Sequence, residues 1–237
     1  MTVPTSPPGR RAGHSSDTGS SEPGRDCPLC PRLVNYREVN RLKYSGWFNA
    51  PVPSFGPTDA ELLIVGLAPG LKGANRTGRP FTGDYAGILL YETLLRFGFA
   101  SGSYRESPED GLVLNGCRIT NAVRCAPPEN KPLPNEIAAC RGFLIAVLEE
   151  MPNLSAVLAL GTIAFNTTIR AAGLTPSQYN FGHGEAVDIG GGRKLFGCYH
   201  CSRYNTNTGR LTPEMFHRVF EDISAHLGRA GPNDRAS

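Results

Sequence analysis

Four short apolar runs constrain the fold of this chain most: ELLIVGLA (61–68), CRITNAV (117–123), SAVLALG (155–161) and KLFGCYH (194–200). Each is too short for a buried helix, and each ends against Gly, Pro or polar residues, as strands buried on both faces do. Between and after them lie stretches with apolar residues at helical spacing. YAGILLYETLLRFGF (85–99) runs out near Gly98, and PNEIAACRGFLIAVLEEM (134–151) opens on Pro134 with Ile137, Leu144 and Leu148 along one face. TIAFNTTIRAAG (162–173) follows the third run. A last helix begins at Thr212, Pro213 and Glu214 and carries Met215, Phe216, Val219, Phe220, Ile223 and Leu227 as its apolar stripe. This alternation predicts an α/β protein, a three-layer α/β/α arrangement with a central four-stranded, mostly parallel sheet. In such sheets ligands bind beyond the carboxyl ends of the strands. Each run here is followed by an unusual loop (GLAPG through FTGD, TNAVRCAPP, LGT, HCSRYNTNTGR), so the functional residues are expected on one rim.

Composition sets the limits around that core. Of 237 residues, 1–25 are rich in Pro, Gly, Ser and Thr and nearly lack large apolar side chains. They cannot bury enough to offset ordering entropy, so a disordered N-terminal tail is expected, with 229–237 a C-terminal one and 26–228 a single domain. A folded part of roughly 200 residues buries about 70% of its extended-chain surface and needs no disulfides. The net charge of +3 and pI near 8.5 permit nucleic-acid contact without demanding it. No apolar run reaches the roughly 18 residues of a membrane span, and the N-terminus carries no hydrophobic secretory segment. Seven cysteines in such a chain point to a reducing compartment.

Four of those cysteines form a pattern. Cys27 and Cys30 lie in CPLC, Cys125 follows the second apolar run, and Cys140 lies on the next helix. Four thiolates could hold zinc, although zinc modules usually pair two tight CxxC clips, or an iron–sulfur cluster, whose ligands spread more widely. Cys117 and Cys198 sit inside apolar runs and read as small core residues. Cys201, in HCS, begins what could be a cysteine-phosphatase loop, but the arginine such a loop needs six residues on is Asn207.

GLAPGLKGANRTGRPFTGD (66–84) is a near miss of a different kind. Gly73 to Gly78 has the spacing of a nucleotide-binding P-loop, yet Arg79 and Pro80 stand where Lys and Ser or Thr must reach the phosphates and the magnesium. The stretch instead ends in an aromatic ring, Phe81, and a carboxylate, Asp84.

Read together, GLAPG…NRTGRPFTGD, ITNAVRCAPP and HCSRYNTNTGRLT, with the four cysteines, resemble the uracil-DNA glycosylase superfamily over about residues 25–228. The closest resemblance is to its fifth family, the type-b enzymes with an iron–sulfur cluster. It implies a monofunctional glycosylase of base excision repair that flips uracil out of double-stranded DNA and hydrolyses its N-glycosidic bond. Other deaminated bases, hypoxanthine and xanthine among them, would also be accepted. It further implies a 4Fe-4S cluster on Cys27, Cys30, Cys125 and Cys140, a monomer with no membrane association, and a place in the bacterial cytosol or nucleoid.

The roles the resemblance implies suit the chemistry. A flipped base needs an aromatic platform, here Phe81, and a side chain with both donor and acceptor for its Watson–Crick edge, here Asn121. Gly66, Ala68, Pro69 and Gly70 would let the backbone approach the nucleotide. His200 would donate to the negative charge on the departing base, and Asp84 would position water and stabilise the sugar cation, in addition to capping the helix that starts at Tyr85. The loop after His200 would penetrate the duplex, with Arg203, Asn205 and Arg210 contacting DNA and Arg76 and Arg79 adding phosphate contacts. Cys201 replaces the proline usual after the histidine, and no lysine in the motifs stands ready to attack the sugar, although Lys72 is near. The competing expectation is a non-catalytic metal-cluster nucleic-acid-binding protein of the same fold.

Overall fold

The computed structural model describes residues 21–231; residues 1–20 and 232–237, which make up most of both expected tails, lie outside it. The four apolar runs form strands β1 (Leu62–Gly66), β4 (Cys117–Asn121), β5 (Ala156–Leu160) and β7 (Lys194–Cys198). They pair in parallel in the order β4-β1-β5-β7. Among the described residues the expectation of four strands is corrected to five: β6 (Ala186–Asp188) adds antiparallel to β7 at the edge. Its residues are exposed or half-buried, so it lacks the apolar run by which the others announce themselves. A separate two-residue ladder joins β2 (Ala100–Ser101) to β3 (Val113–Leu114).

Successive residues of a strand face opposite sides, and here both sides are covered. Leu62 and Ile64 pack into one core with Leu90 and Leu94 of α3 (Tyr85–Arg96) and Phe216 and Phe220 of α7 (Pro213–His226). Leu63 and Val65 pack into the other, with Leu144 and Leu148 of α4 (Pro134–Glu150) and Phe165 and Ile169 of α5 (Thr162–Ala171). Each such buried side chain contributes roughly 1.5–3 kcal/mol. Thr212 caps α7, its hydroxyl accepting from the Met215 N–H at 3.2 Å.

Three α-helices among the described residues were not expected. In α1 (Pro31–Lys43) the buried positions are Leu33, Arg37 and Asn40, so no apolar stripe marks it. The others are short: α2 (Ala74–Thr77) inside the glycine-rich stretch, and α6 (Arg203–Asn207) inside the loop after His200. At the N-terminal end, Glu22 accepts from the Ser54 N–H at 3.1 Å and pairs with Arg124 at 3.1 Å, so the chain is engaged before residue 26. Arg229 likewise lies 4.5 Å above the Phe99 ring.

Candidate active site

Strands β1 and β4 end on register partners, Gly66 and Asn121, and this pair anchors the site. A Cβ at Gly66 would collide with Asn121 Oδ1 and stand 2.6 Å from the Phe81 ring, so only glycine lets these groups close over the strand end. One cavity of about 350 Å³ opens at this rim. Leu67, Ala68, Pro69, Gly70, Phe81, Asp84, Asn121 and His200 all line it, with Arg203 at its mouth. The four side chains assigned to base handling thus share one hollow.

Phe81 is buried and has φ +53, in the left-handed region that bulky residues avoid at about 1–3 kcal/mol. Neighbours hold it there. The Tyr104 hydroxyl donates to the Phe81 carbonyl at 3.2 Å, and the Tyr91 hydroxyl donates to the Pro80 carbonyl at 2.6 Å. Gly87 allows this packing, since a Cβ there would strike the Phe81 carbonyl.

Three residues on, Asp84 caps α3, its Oδ1 accepting from the Gly87 N–H at 3.2 Å. Burial pushes its carboxyl above the usual carboxylate range, with the N–H groups of Gly87 and Ala86 acting in the opposite direction. The other carboxylate oxygen faces the loop, 3.4 Å from where a Cβ on Gly70 would stand. Asp84 thus caps the helix and lines the cavity at once.

His200 lies two residues beyond β7. Burial drives its imidazole down to about 4, so it is neutral near pH 7, with one ring N–H to donate. Its backbone is fixed by Asn205, whose amide donates to the His200 carbonyl at 2.8 Å. Asn121 is buried, and no other described residue hydrogen-bonds its carboxamide.

The basic residues divide. Arg203 is exposed, 5.1 Å from the Tyr85 ring, and Arg210 is exposed, 4.7 Å from the Tyr199 ring. Arg76 is exposed beside Gly83. Arg79 is a correction: it is buried and paired through both terminal nitrogens with Asp110 at 2.8–2.9 Å, so its charge is not offered to phosphate. One residue escaped sequence reading. Tyr204 on α6 is 72% exposed, a large ring held in solvent beside the cavity's Arg203. Its signal, an aromatic residue within a polar stretch next to His200, was there to be read.

On the far side of the Asn121 loop, Cys27, Cys30, Cys125 and Cys140 line a second, small hollow closed by Leu33, Val123 and Phe143. The Arg124 N–H donates to Cys140 Sγ at 3.3 Å, and Arg37 donates to Cys125 Sγ at 3.8 Å. Burial pushes the thiols of Cys125 and Cys140 up, to about 12 and about 11. Among the described residues no three His, Cys, Asp or Glu side chains are arranged to hold a single metal ion.

A mostly parallel sheet thus gathers at its carboxyl rim a phenyl ring, a carboxamide, a neutral imidazole and a buried carboxylate around one cavity. The chain belongs to the uracil DNA glycosylase superfamily, whose family model matches residues 53–224. It is 47% identical over 207 residues to a Type-5 uracil-DNA glycosylase of Thermus thermophilus, covering 85% of this chain and 94% of that one. It is 43% identical to a Type-5 uracil-DNA glycosylase of Mycobacterium bovis (85% and 78% covered), and 32% identical to a Type-4 enzyme of Thermotoga maritima (86% and 88%).

Proposed function

We propose that this protein is a uracil-DNA glycosylase that hydrolyses the N-glycosidic bond of a uracil turned out of DNA. The observation that carries the reading is the single cavity shared by Phe81, Asp84, Asn121 and His200. Extruding a base costs a few kcal/mol, and stacking on an aromatic ring offsets about 1–3 kcal/mol of that. The Asn121 carboxamide, unpartnered among the described residues, supplies a donor and an acceptor to the uracil edge. As the bond between C1′ and the base nitrogen breaks, its electron pair moves onto the base and builds negative charge on the adjacent carbonyl oxygen. The N–H of neutral His200 stabilises that charge, and the ionised Asp84 faces the sugar cation and takes a proton from the water that bonds to C1′.

The finer features follow from the same residues. Lys72 is exposed and does not line the cavity, which supports hydrolysis by water over attack by an amine. The exposed ring of Tyr204, beside Arg203, suits filling the gap left by an extruded base, and so favours double-stranded DNA. The cavity wall at the first motif, Leu67, Ala68 and Pro69, carries no side-chain donor or acceptor that would reject other deaminated bases, which supports hypoxanthine and xanthine as further substrates.

The four cysteines would hold a 4Fe-4S cluster. An all-thiolate zinc ion draws its sulfurs to within about 4 Å of one another, given zinc–sulfur bonds near 2.3 Å. A cluster several atoms across takes thiolates that stand further apart, and the apolar walls with N–H donors to sulfur suit its charge. Such a group would tie the N-terminal arm, the loop after β4 and α4 together. We place the protein in the cytoplasm as a monomer, with deaminated DNA as its partner.

The test is incubation of purified protein with duplexes carrying uracil, hypoxanthine or xanthine, followed by alkali. Strand cleavage at the uracil is expected; intact strands on all three would leave the non-catalytic binding protein as the better account.

A further inference from the structure

We infer that the buried Arg79–Asp110 pair is a positioning device that sets the Phe81 platform. Arg79 Nη1 and Nη2 donate to the two oxygens of Asp110 at 2.9 and 2.8 Å, and Nε donates to Thr82 Oγ1 at 2.7 Å. One guanidinium thereby ties the glycine-rich stretch to the loop that joins β2 and β3. Asp110 is itself fixed, since its oxygens also accept from the N–H groups of Arg105 at 2.9 Å and Leu112 at 3.0 Å.

The pair is also the centre of an aromatic cage. The guanidinium lies 5.3 Å from the rings of Phe55 and Tyr91 and 5.9 Å from that of Tyr104. Tyr91 and Tyr104 stack on each other at 4.5 Å, and their hydroxyls are the ones that hold the carbonyls of Pro80 and Phe81. Thr82 Oγ1 donates to the Pro80 carbonyl as well, at 3.2 Å. Side chains organised by one guanidinium therefore grip the backbone on both sides of a residue at φ +53.

Stability alone does not account for such a pair. The desolvation of two buried charges consumes most of their attraction, and apolar replacements are often neutral. A bulky residue in the left-handed region, by contrast, persists only where its surroundings over-determine it. What the pair supplies is a fixed place for the Phe81 ring. That this ring receives a base rests on the function proposed above; the control of the ring by Arg79 does not.

The test uses Arg79→Lys, which keeps a positive charge beside Asp110 but lacks the planar fork that makes three directed bonds. Thermal midpoint, the ring resonances of Phe81 in phenylalanine-labelled protein, and single-turnover uracil release are measured together. The expected pattern is a midpoint within a few degrees of the parent and shifted or broadened Phe81 resonances. The half-saturating DNA concentration should rise about tenfold, as partial loss of a base stack would give, and by more than the maximal rate falls. Asp110→Asn should shift the Phe81 resonances and raise half-saturation in the same way, but with a clearly lowered midpoint, because it leaves the Arg79 charge buried without its anion. Phe81 resonances unmoved in either folded variant, or a lowered midpoint with unchanged half-saturation, would overturn the inference. Parent protein that releases no uracil would instead defeat the glycosylase reading, and the ring resonances would still decide whether Arg79 positions Phe81.

Discussion

The ring of Phe81 and the imidazole of His200 stand with centroids 6.1 Å apart and planes tilted by 31°. One comes from the loop after β1 and the other from the turn after β7, and they meet because parallel strands deliver both loops to one rim. On the function proposed above, a base laid on the phenyl ring would lie next to the imidazole.

On the proposed function, the ionisations of Asp84 and His200 give a signed pH dependence. Asp84 must be charged, and burial raises its pKa, so excision should fall as pH drops through a single ionisation above the ordinary carboxylate value of about 4. His200 must be neutral and remains so down to about 4, so it should not limit the rate near pH 6. Single-turnover rates across the acid range check this. Asp84→Asn should lower the rate by about 10²–10⁴-fold and remove the Asp84 limb, leaving only the fall near pH 4 where His200 protonates. An unchanged limb would assign it to another group.

Gly66→Ala is a steric probe. The new methyl group must push aside Asn121 Oδ1 and the Phe81 ring, while the strand stays paired on both sides. Uracil release should fall by at least about 100-fold, equivalent to losing about 3 kcal/mol, with thermal stability lowered only modestly. Kinetics and a melting curve on one preparation decide it.

Much of the fold could be read from residues whose role is local. The parallel strands are apolar throughout because both faces are covered, so β1, β4, β5 and β7 stood out. Thr212 and Asp84 are side-chain caps and marked their helices correctly. What escaped depends on partners distant in sequence. β6 takes its place from β7, and α1 buries Arg37 and Asn40 where a stripe of leucines would have been legible. Arg79 reads as a phosphate ligand until Asp110, on a separate loop, is brought against it. Phe81, Asp84, Asn121 and His200 were assigned by resemblance and chemistry, and the cavity they share follows from strand order, which single motifs do not contain.

For the cysteine hollow the expected outcome is compositional. Protein purified without oxygen should be brown and absorb toward the blue end of the visible range, with about four irons and four sulfides per chain. Cys125→Ser should bleach it. Colourless protein with one zinc per chain would contradict the cluster.

Tyr204→Ala removes a ring that is 72% exposed, so it should leave the melting temperature unchanged. Uracil release from duplex DNA should fall about tenfold, as loss of one stacking contact would give, with a smaller effect on single strands, where no gap needs filling. Equal losses on both substrates would count against a role in the duplex.

The most direct measurement is release of free uracil, quantified by mass spectrometry under single turnover, by the parent protein, Asp84→Asn and His200→Ala. The parent should release one uracil per substrate strand and leave an abasic site, and each folded variant should be slower by at least about 100-fold. Undiminished release by both variants, or none by the parent, would contradict catalysis in this cavity.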